Sequence, residues 1–367
     1  MIILFWGLRP FNFQPSNGAT WLKTGNGVNF HNHGIVYGPS KFKDLDQVPL
    51  FAKHEPISIE IWLTPDSDYR RGFSYIFGLY DDHFQEIFSL SQVKSLLNIS
   101  KYKKPGKRGL TYNWRWLKNT FFKGQKRFLT ITSDKTGTTV YLDGKRAHKF
   151  RNYSLMPTGE LTPPGRVVIG IDPSGKKPWT GTIHGLAFYN QALPSKQIVE
   201  HFDKWKGNAA LSLLKEKDII ALYPMDEKSG QLIHNAVPNH FHSSIPARFR
   251  ILKKNFLRLD DNALKLNCSS LRDMCINILG FIPLGWFLFW TFNLYSQPLK
   301  TPSCRPMLLA VLGGTVISLM VEILQAYLPT RNSSLTDLGF NALGTGLGVI
   351  LAFLFMIKRP RSGDAVI

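Results

Sequence analysis

Hydrophobic and polar positions divide this chain into two zones. Near its end, Met274–Leu299, Pro306–Leu328 and Leu338–Ile357 are apolar, and Glu322 is the single charged residue inside them. A helix crosses the hydrocarbon of a bilayer with about 20 apolar residues, so each stretch is long enough to span. Upstream the period is two. Ile57, Ile59, Ile61 and Leu63 alternate with Ser58, Glu60 and Trp62, which predicts a strand with one buried face and one mixed face. Arg127–Ser133 repeats the pattern, and Thr138–Phe150 predicts a hairpin closed by Asp143-Gly144, residue types that accept positive φ angles. With Val167–Ile171 and Thr182–Tyr189, at least five short strands fall between Trp21 and Tyr189, the pattern of a β-sandwich. Pro194 and Ser195 then open a helix that brings Ile198, Phe202 and Trp205 to helical spacing.

Charge follows the same division. Of the net +20, only +3 belongs to residues from Asn267 onward, which leaves +17 in residues 1–266. Such a surface attracts polyanions, and beside a membrane these are acidic envelope polymers or anionic lipid headgroups. No basic run joins a nucleic-acid motif, so nucleic acid is not an expected partner, and Lys101–Arg108 reads as a solvated loop. The three cysteines, Cys268, Cys275 and Cys304, all lie at or near the first two spans, so the soluble region gains neither disulfides nor a thiolate zinc site. His31 and His33 invite a metal, but no third ligand can be named, and they read as surface-strand histidines. Asp66/Asp68 and Asp81/Asp82 sit in turn-like sequence and read as loop residues. A Ca²⁺ site there is the weaker reading, because Ca²⁺ takes six to eight oxygens. No other cofactor is expected.

Lys and Arg in the short loops set the expected orientation. Lys358, Arg359 and Arg361 follow the third span, Lys300 and Arg305 separate the first two, and Arg331 alone lies between the last two. The positive-inside rule then places the tail in the cytoplasm and residues before Arg272 outside. Met1–Trp6 is too short to span, and reads as the end of a longer hydrophobic segment that would make a fourth span. The expected order is an N-terminal hydrophobic segment at 1–19 and a sandwich at 20–245. A basic juxtamembrane linker at 246–270, suited to lying at the headgroups, leads to membrane helices at 271–357 and a tail at 358–367.

The segments FLTITSDKTGTTVYLDGK (128–145) and VVIGIDPSGKKPWTGTIHGLAFYNQALPSKQIVEHFDKW (167–205) resemble the concanavalin A-like lectin/glucanase superfamily in its laminin-G-like branch. The resemblance covers about residues 20–206. It implies a jelly-roll-like sandwich of two antiparallel sheets, a scaffold often used to bind glycans or proteins. Residues 221–242 resemble the opening of another such domain, and are expected to complete the one sandwich as an edge strand. Retaining glucanases need two carboxylates about 5 Å apart on one face, and the E-x-D-x-x-E pattern that supplies them is missing. The sandwich therefore reads as a binding module.

Polar residues in hydrocarbon are costly, and those within the spans or at their ends fall in order: Arg272, Asp273 and Asn277, then Glu322 and Gln325, then Arg331, then Asp337 and Asn341. Pro283 should kink or end the first span. Gly344 and Gly348 form a small-xxx-small strip for close helix packing. RDMCINILGFIPLG and SLMVEILQAYLPTRNSSLTDLGFNALGTGLG, over about 271–357, resemble the VanZ-like membrane family, named for a teicoplanin-resistance protein. The expected fold class is therefore multidomain, an all-β concanavalin A-like jelly roll followed by an α-helical bundle of three spans. The expected function is an envelope protein whose external sandwich binds surface polysaccharide or another anionic polymer, with membrane lipids around its anchor. The alternative is an enzyme or accessory factor acting on a lipid-linked wall precursor, with Glu322, Arg331 and Asp337 as candidate catalytic residues.

Overall fold

A computed structural model of the chain describes residues 5, 7–9, 11–38, 56–68, 72–81, 83–106, 109–156, 166–238, 240–259, 268–295 and 304–358, with side chains for all of these except 103–111 and 269. The chain forms two compact units, Gln14–Lys253 and Met1–Phe13 with Lys254–Ile367.

The first unit is a sandwich of two sheets, each antiparallel throughout. One sheet runs β1 (Ala19–Trp21), β2 (Val28–Phe30), β13 (Gly181–Tyr189), β4 (Ile57–Pro65), β9 (Arg127–Asp134), β10 (Gly137–Leu142), β11 (Lys145–Arg151), and β14 (Ile219–Tyr223) pairs with β13. The other runs β15 (Leu232–Ile233), β16 (Ser243–Ser244), β3 (Val36–Gly38), β12 (Arg166–Ile169), β5 (Ser74–Tyr80), β6 (Glu86–Val93), β7 (Leu96–Gly106), β8 (Gly109–Leu117). Apolar residues at alternate positions of both sheets meet between them. Phe77 of β5 packs on Phe188 of β13 with ring centroids 5.6 Å apart. The Asp143-Gly144 hairpin forms as its residue types require, with φ of 51° and 78°.

Two elements differ from the sequence reading. β4 is buried on both faces, and Ser58 and Glu60 are fully enclosed. Helix α1 (Ser195–Lys206) and the 3₁₀ helix Ala210–Lys215 belong to the apolar cluster on the outer face of that sheet, with Phe128 and Tyr141. There His201 Nδ1 lies 2.7 Å from Glu60 Oε1, and Tyr189 and Trp205 donate to Oε2 at 3.0 and 3.1 Å. Within the segment read as a loop, Lys101–Gly106 is strand, while 107 and 108 lie outside the described residues. β7 continues to Gly106 and pairs with β8, absorbing Pro105 through a shift of register after Lys103.

The second unit contains three long apolar helices, α2 (Cys268–Tyr295), α3 (Arg305–Gln325) and α4 (Leu335–Lys358), each long and apolar enough to cross a membrane. Of the two outcomes expected at Pro283, an end does not occur, since α2 runs through it. Proline is tolerated within membrane helices because neighbouring helices and polar side chains re-satisfy the freed backbone groups. The α2 and α4 backbones are close enough that a Cβ at Gly344 would lie 2.2 Å from the Ile278 carbonyl oxygen, and one at Gly348 would lie 2.0 Å from that of Ile282. Small residues allow this approach, and dispersion across it holds the pair together without help from the hydrophobic effect. Gly348→Ala should therefore lower the thermal midpoint of the detergent-solubilised protein, at a cost of about 1–3 kcal/mol. Gly346→Ala, whose Cβ would meet nothing within 4 Å, should leave it unchanged. Equal midpoints for the two variants would refute the close approach of α2 and α4.

Candidate functional site

The register of β5–β8 builds one face from the residues that point away from the core. Phe88, Leu90, Leu97 and Ile99 enter the core, so Ser89, Ser91, Asn98 and Ser100 take the other side. Two rows of paired residues cross that side. One is Tyr75, Ser91, Asn98, Trp116, and the other is Gly78, Ser89, Ser100, Trp114. The serines and Asn98 are buried, whereas Trp114 is 47% exposed, Trp116 39% and Tyr112 37%. Phe73 stacks beside both tryptophans, with centroids 5.8 and 5.7 Å away. Lys177 Nζ stands 5.4 Å from the ring centres of Phe73 and Tyr75. The result is a shelf of aromatic rings over a polar floor.

A single carboxyl sits in this floor. Glu86 accepts hydrogen bonds from Ser100 at 2.5 Å, Ser89 at 2.9 Å and Tyr75 at 3.4 Å. Burial pushes its pKa above the ordinary carboxylate value, and the three hydroxyls and Lys177 offset only part of that rise. Burial, followed by the Glu86 charge, also pushes the Tyr75 and Tyr80 phenols up. Gly78 is required here because a Cβ at that position would strike the Tyr80 ring. Among the described residues, the buried Asn98 Oδ1 and Tyr80 hydroxyl find no hydrogen-bond partner. Asp172, which acts on the same phenols, is held in its own turn by the backbone N–H groups of Lys176 and Lys177 at 2.9 and 2.8 Å. Sequence reasoning missed this face, although Tyr112, Trp114 and Trp116 alternate with Asn113 and Arg115 in the period-two pattern that announces it.

The structure also brings together much of the polar set in the helices. Glu322, 2% exposed, accepts the Ser334 N–H at 2.7 Å just ahead of α4. The Ser334 hydroxyl accepts the Asp337 N–H at 3.2 Å, and the buried Asn341 side chain donates to Ser318 at 2.9 Å. Gln325 donates to the Gly7 carbonyl at 2.9 Å, and the Arg331 guanidinium donates to that of Arg9 at 3.1 and 3.2 Å. Arg272 and Asp273 are exposed and approach each other at 3.6 Å, while Asn277 is half-buried along α2. Ser318 and Ser334 take part without having been singled out in the sequence. Their hydroxyls give no hydropathy signal. In the sandwich, the Asp81 carboxylate accepts the N–H groups of His83 and Gln85 at 2.9 and 2.7 Å, and Asp68 accepts that of Lys123 at 3.3 Å. Asp82 lies outside the described residues. Among the described residues, no group of three or more His, Cys, Asp and Glu side chains is arranged to hold a metal ion.

Two family models match the chain. That of the concanavalin A-like lectin/glucanases superfamily covers residues 40–199, and that of VanZ/LLP1 covers residues 210–356. The two matches follow one another along the chain, the arrangement of a fusion of these two domain types. The VanZ-like match begins inside the sandwich unit, since β14, β15 and β16 lie within it. No curated protein matches the chain. Among solved structures, a Bacteroides ovatus protein proposed to bind carbohydrate is similar at 14% identity over 62% of this chain and 60% of its own, with a TM-score of 0.41. The binding domain of botulinum neurotoxin DC, solved with rat synaptotagmin II, shares 14% identity over 52% of this chain and 45% of its own, with a TM-score of 0.37. Trypanosoma rangeli sialidase shares 16% over 52% and 29%, also at 0.37. The chain thus spans 60% of the first of these structures and less than half of the other two, and at such scores the likenesses carry no weight for function. What the VanZ-like fusion protein does rests on its own residues.

Glu86 makes the stability of its sandwich depend on pH. The folded state binds the Glu86 proton more tightly than the unfolded chain, so stability falls as pH rises from the ordinary carboxylate range through the raised folded value. Glu86→Gln keeps an acceptor for Ser89 and Ser100 and removes the titration. The midpoint of the variant minus that of wild type should therefore grow more positive as pH climbs through this window, read by thermal unfolding of the full chain. A pH-independent difference would contradict the burial of this carboxyl.

Proposed function

We propose that this is a membrane-anchored envelope protein whose sandwich binds polysaccharide on the aromatic shelf of β5–β8. The supporting observation is the row of exposed rings, Tyr112, Trp114 and Trp116, above an enclosed layer of hydroxyls and amide. Aromatic faces pack against the apolar C–H face of a sugar ring, while few and fixed polar groups set its orientation. Exposed tryptophans side by side add nothing to the core that a smaller residue would forfeit, and a flat open shelf suits a chain rather than a small enclosed ligand. In this reading the VanZ-like bundle is the anchor, and Glu322 caps α4 instead of transferring protons.

The test is a glycan array with the full chain in phosphatidylcholine nanodiscs, followed by titration of the sugars retained. Trp114→Ala and Trp116→Ala should each weaken binding about tenfold, a loss of ~1.4 kcal/mol, with the thermal midpoint unchanged. Absence of any retained glycan, or retention by both variants at wild-type affinity, would sink the proposal.

The proposal requires the sandwich to lie outside the cell and the tail inside, as the Lys/Arg bias of the loops implies. With Cys268, Cys275 and Cys304 replaced, Lys206→Cys on the exposed end of α1 should react with an impermeant maleimide in intact cells. Ser362→Cys should stay protected until lysis. The reverse pattern would remove the external glycan from the argument.

A further inference from the structure

The edge strand β11 carries a second feature, independent of the aromatic shelf. Its sequence KRAHKFR holds four Lys/Arg and one His in seven residues, and all five of these side chains are exposed. The register against β10 pairs Tyr141 with Arg146, Val140 with His148, Thr139 with Lys149 and Gly137 with Arg151. Ala147 is the extra residue of a bulge between the first two of these pairs. The bulge decides where the charges point. In an unbroken strand, residues 146 and 149 would face opposite sides, because successive side chains alternate. One inserted residue brings Arg146 to the side of Lys149 and Arg151, so three long cations share the face of Tyr141. Among the described residues, neither Arg146 nor Arg151 has an ion-pair partner. Lys149 donates to the Thr136 hydroxyl at 3.2 Å and feels Asp134 in the same turn.

We propose that this outer face of β11 is a docking strip for a linear phosphodiester polyanion, such as a polyol-phosphate chain. Three aligned cations on an edge repel one another, and an anion running alongside relieves that repulsion. The repeat also fits. Successive phosphorus atoms of a glycerol-phosphate polymer are separated by six bonds, as are alternate Cα atoms of a strand, so both repeats measure about 7 Å when extended. A bilayer surface presents no such line of charges. Lysines and bulges on edge strands also discourage pairing with other chains, but that role is indifferent to which face the charges take.

The experiment titrates poly(glycerol phosphate) against the full chain in phosphatidylcholine nanodiscs over a range of salt. Wild type should bind. The combined variant Arg146→Gln, Lys149→Gln, Arg151→Gln should bind about tenfold more weakly at low salt, with the slope of log K against log salt smaller by about two. Arg146→Ala with Ala147→Arg keeps every charge and moves one out of the position paired with Tyr141; it should weaken binding several-fold, and Arg151→Gln alone provides a milder check. The strip is refuted if the triple variant binds within twofold of wild type at the same salt slope, or if the charge-preserving pair binds as wild type does. It is equally refuted if wild type binds phosphatidylglycerol vesicles and no polymer. Unchanged thermal midpoints identify the losses as surface effects.

Discussion

The contact of Phe77 with Phe188, rings 5.6 Å apart across the sandwich, fixes what every strand of the second sheet can offer to solvent. Once Phe77 and its paired neighbours Leu90 and Ile99 are committed to the core, the period of two sends Ser89, Ser91, Asn98 and Ser100 outward. Trp114 and Trp116 then stand on the same side because β8 pairs with β7 in that register and no other. A slip by one residue would drive both indoles into the core and bring Arg115 onto the shelf. The candidate site is thus a by-product of core packing, with its geometry as rigid as the core itself.

The opposite sheet solves a different problem. Its outer face is covered by α1, and Glu60 is enclosed there among apolar rings. A carboxylate in that position would be very unfavourable without partners. His201, Tyr189 and Trp205 supply them, and two of these come from α1 itself. The hydrogen bonds therefore specify how the helix lies on the sheet, since a rotation that kept the apolar packing would leave the carboxylate unpartnered. The helix thus closes this sheet over β4 and β9, whereas the β11 edge and the outer face of the other sheet stay open to solvent.

How much of this could be read beforehand depended on the range of the interactions involved. β4, the Asp143-Gly144 hairpin, α1 and the three apolar helices were legible, because each is written in residues close in sequence: a period of two, a turn dipeptide, a capping Pro-Ser, an unbroken apolar run. The aromatic shelf was not, because its rows join residues from Tyr75 to Trp116 through three strand pairings. Glu60 read as half-exposed for the same reason, since the helix that covers it lies about 140 residues away. Lys101–Arg108 read as a loop because Pro and Gly usually break strands, and only the partner strand shows that a shift of register absorbs them. The bulge at Ala147 leaves no mark in composition at all.

In the helical unit the same question of partners separates structure from chemistry. Glu322 looks like a reactive acid when only its neighbours in sequence are considered, since a charge within a span is expensive and usually retained for a purpose. Its carboxylate, however, receives the Ser334 N–H at the start of α4, where the first turn of any helix leaves N–H groups unsatisfied and the helix dipole favours a negative charge. The polar residues that follow do similar work: Asn341 bonds α4 to Ser318 of α3, and Gln325 and Arg331 hold backbone carbonyls of Gly7 and Arg9. Within the apolar helices, the Asn341–Ser318 bond replaces one that water cannot supply in hydrocarbon. Chemistry at the Glu322 Oε2 would compete with the bond from the Ser334 N–H at the start of α4. On the sandwich, the rings of the shelf and the cations of β11 meet solvent.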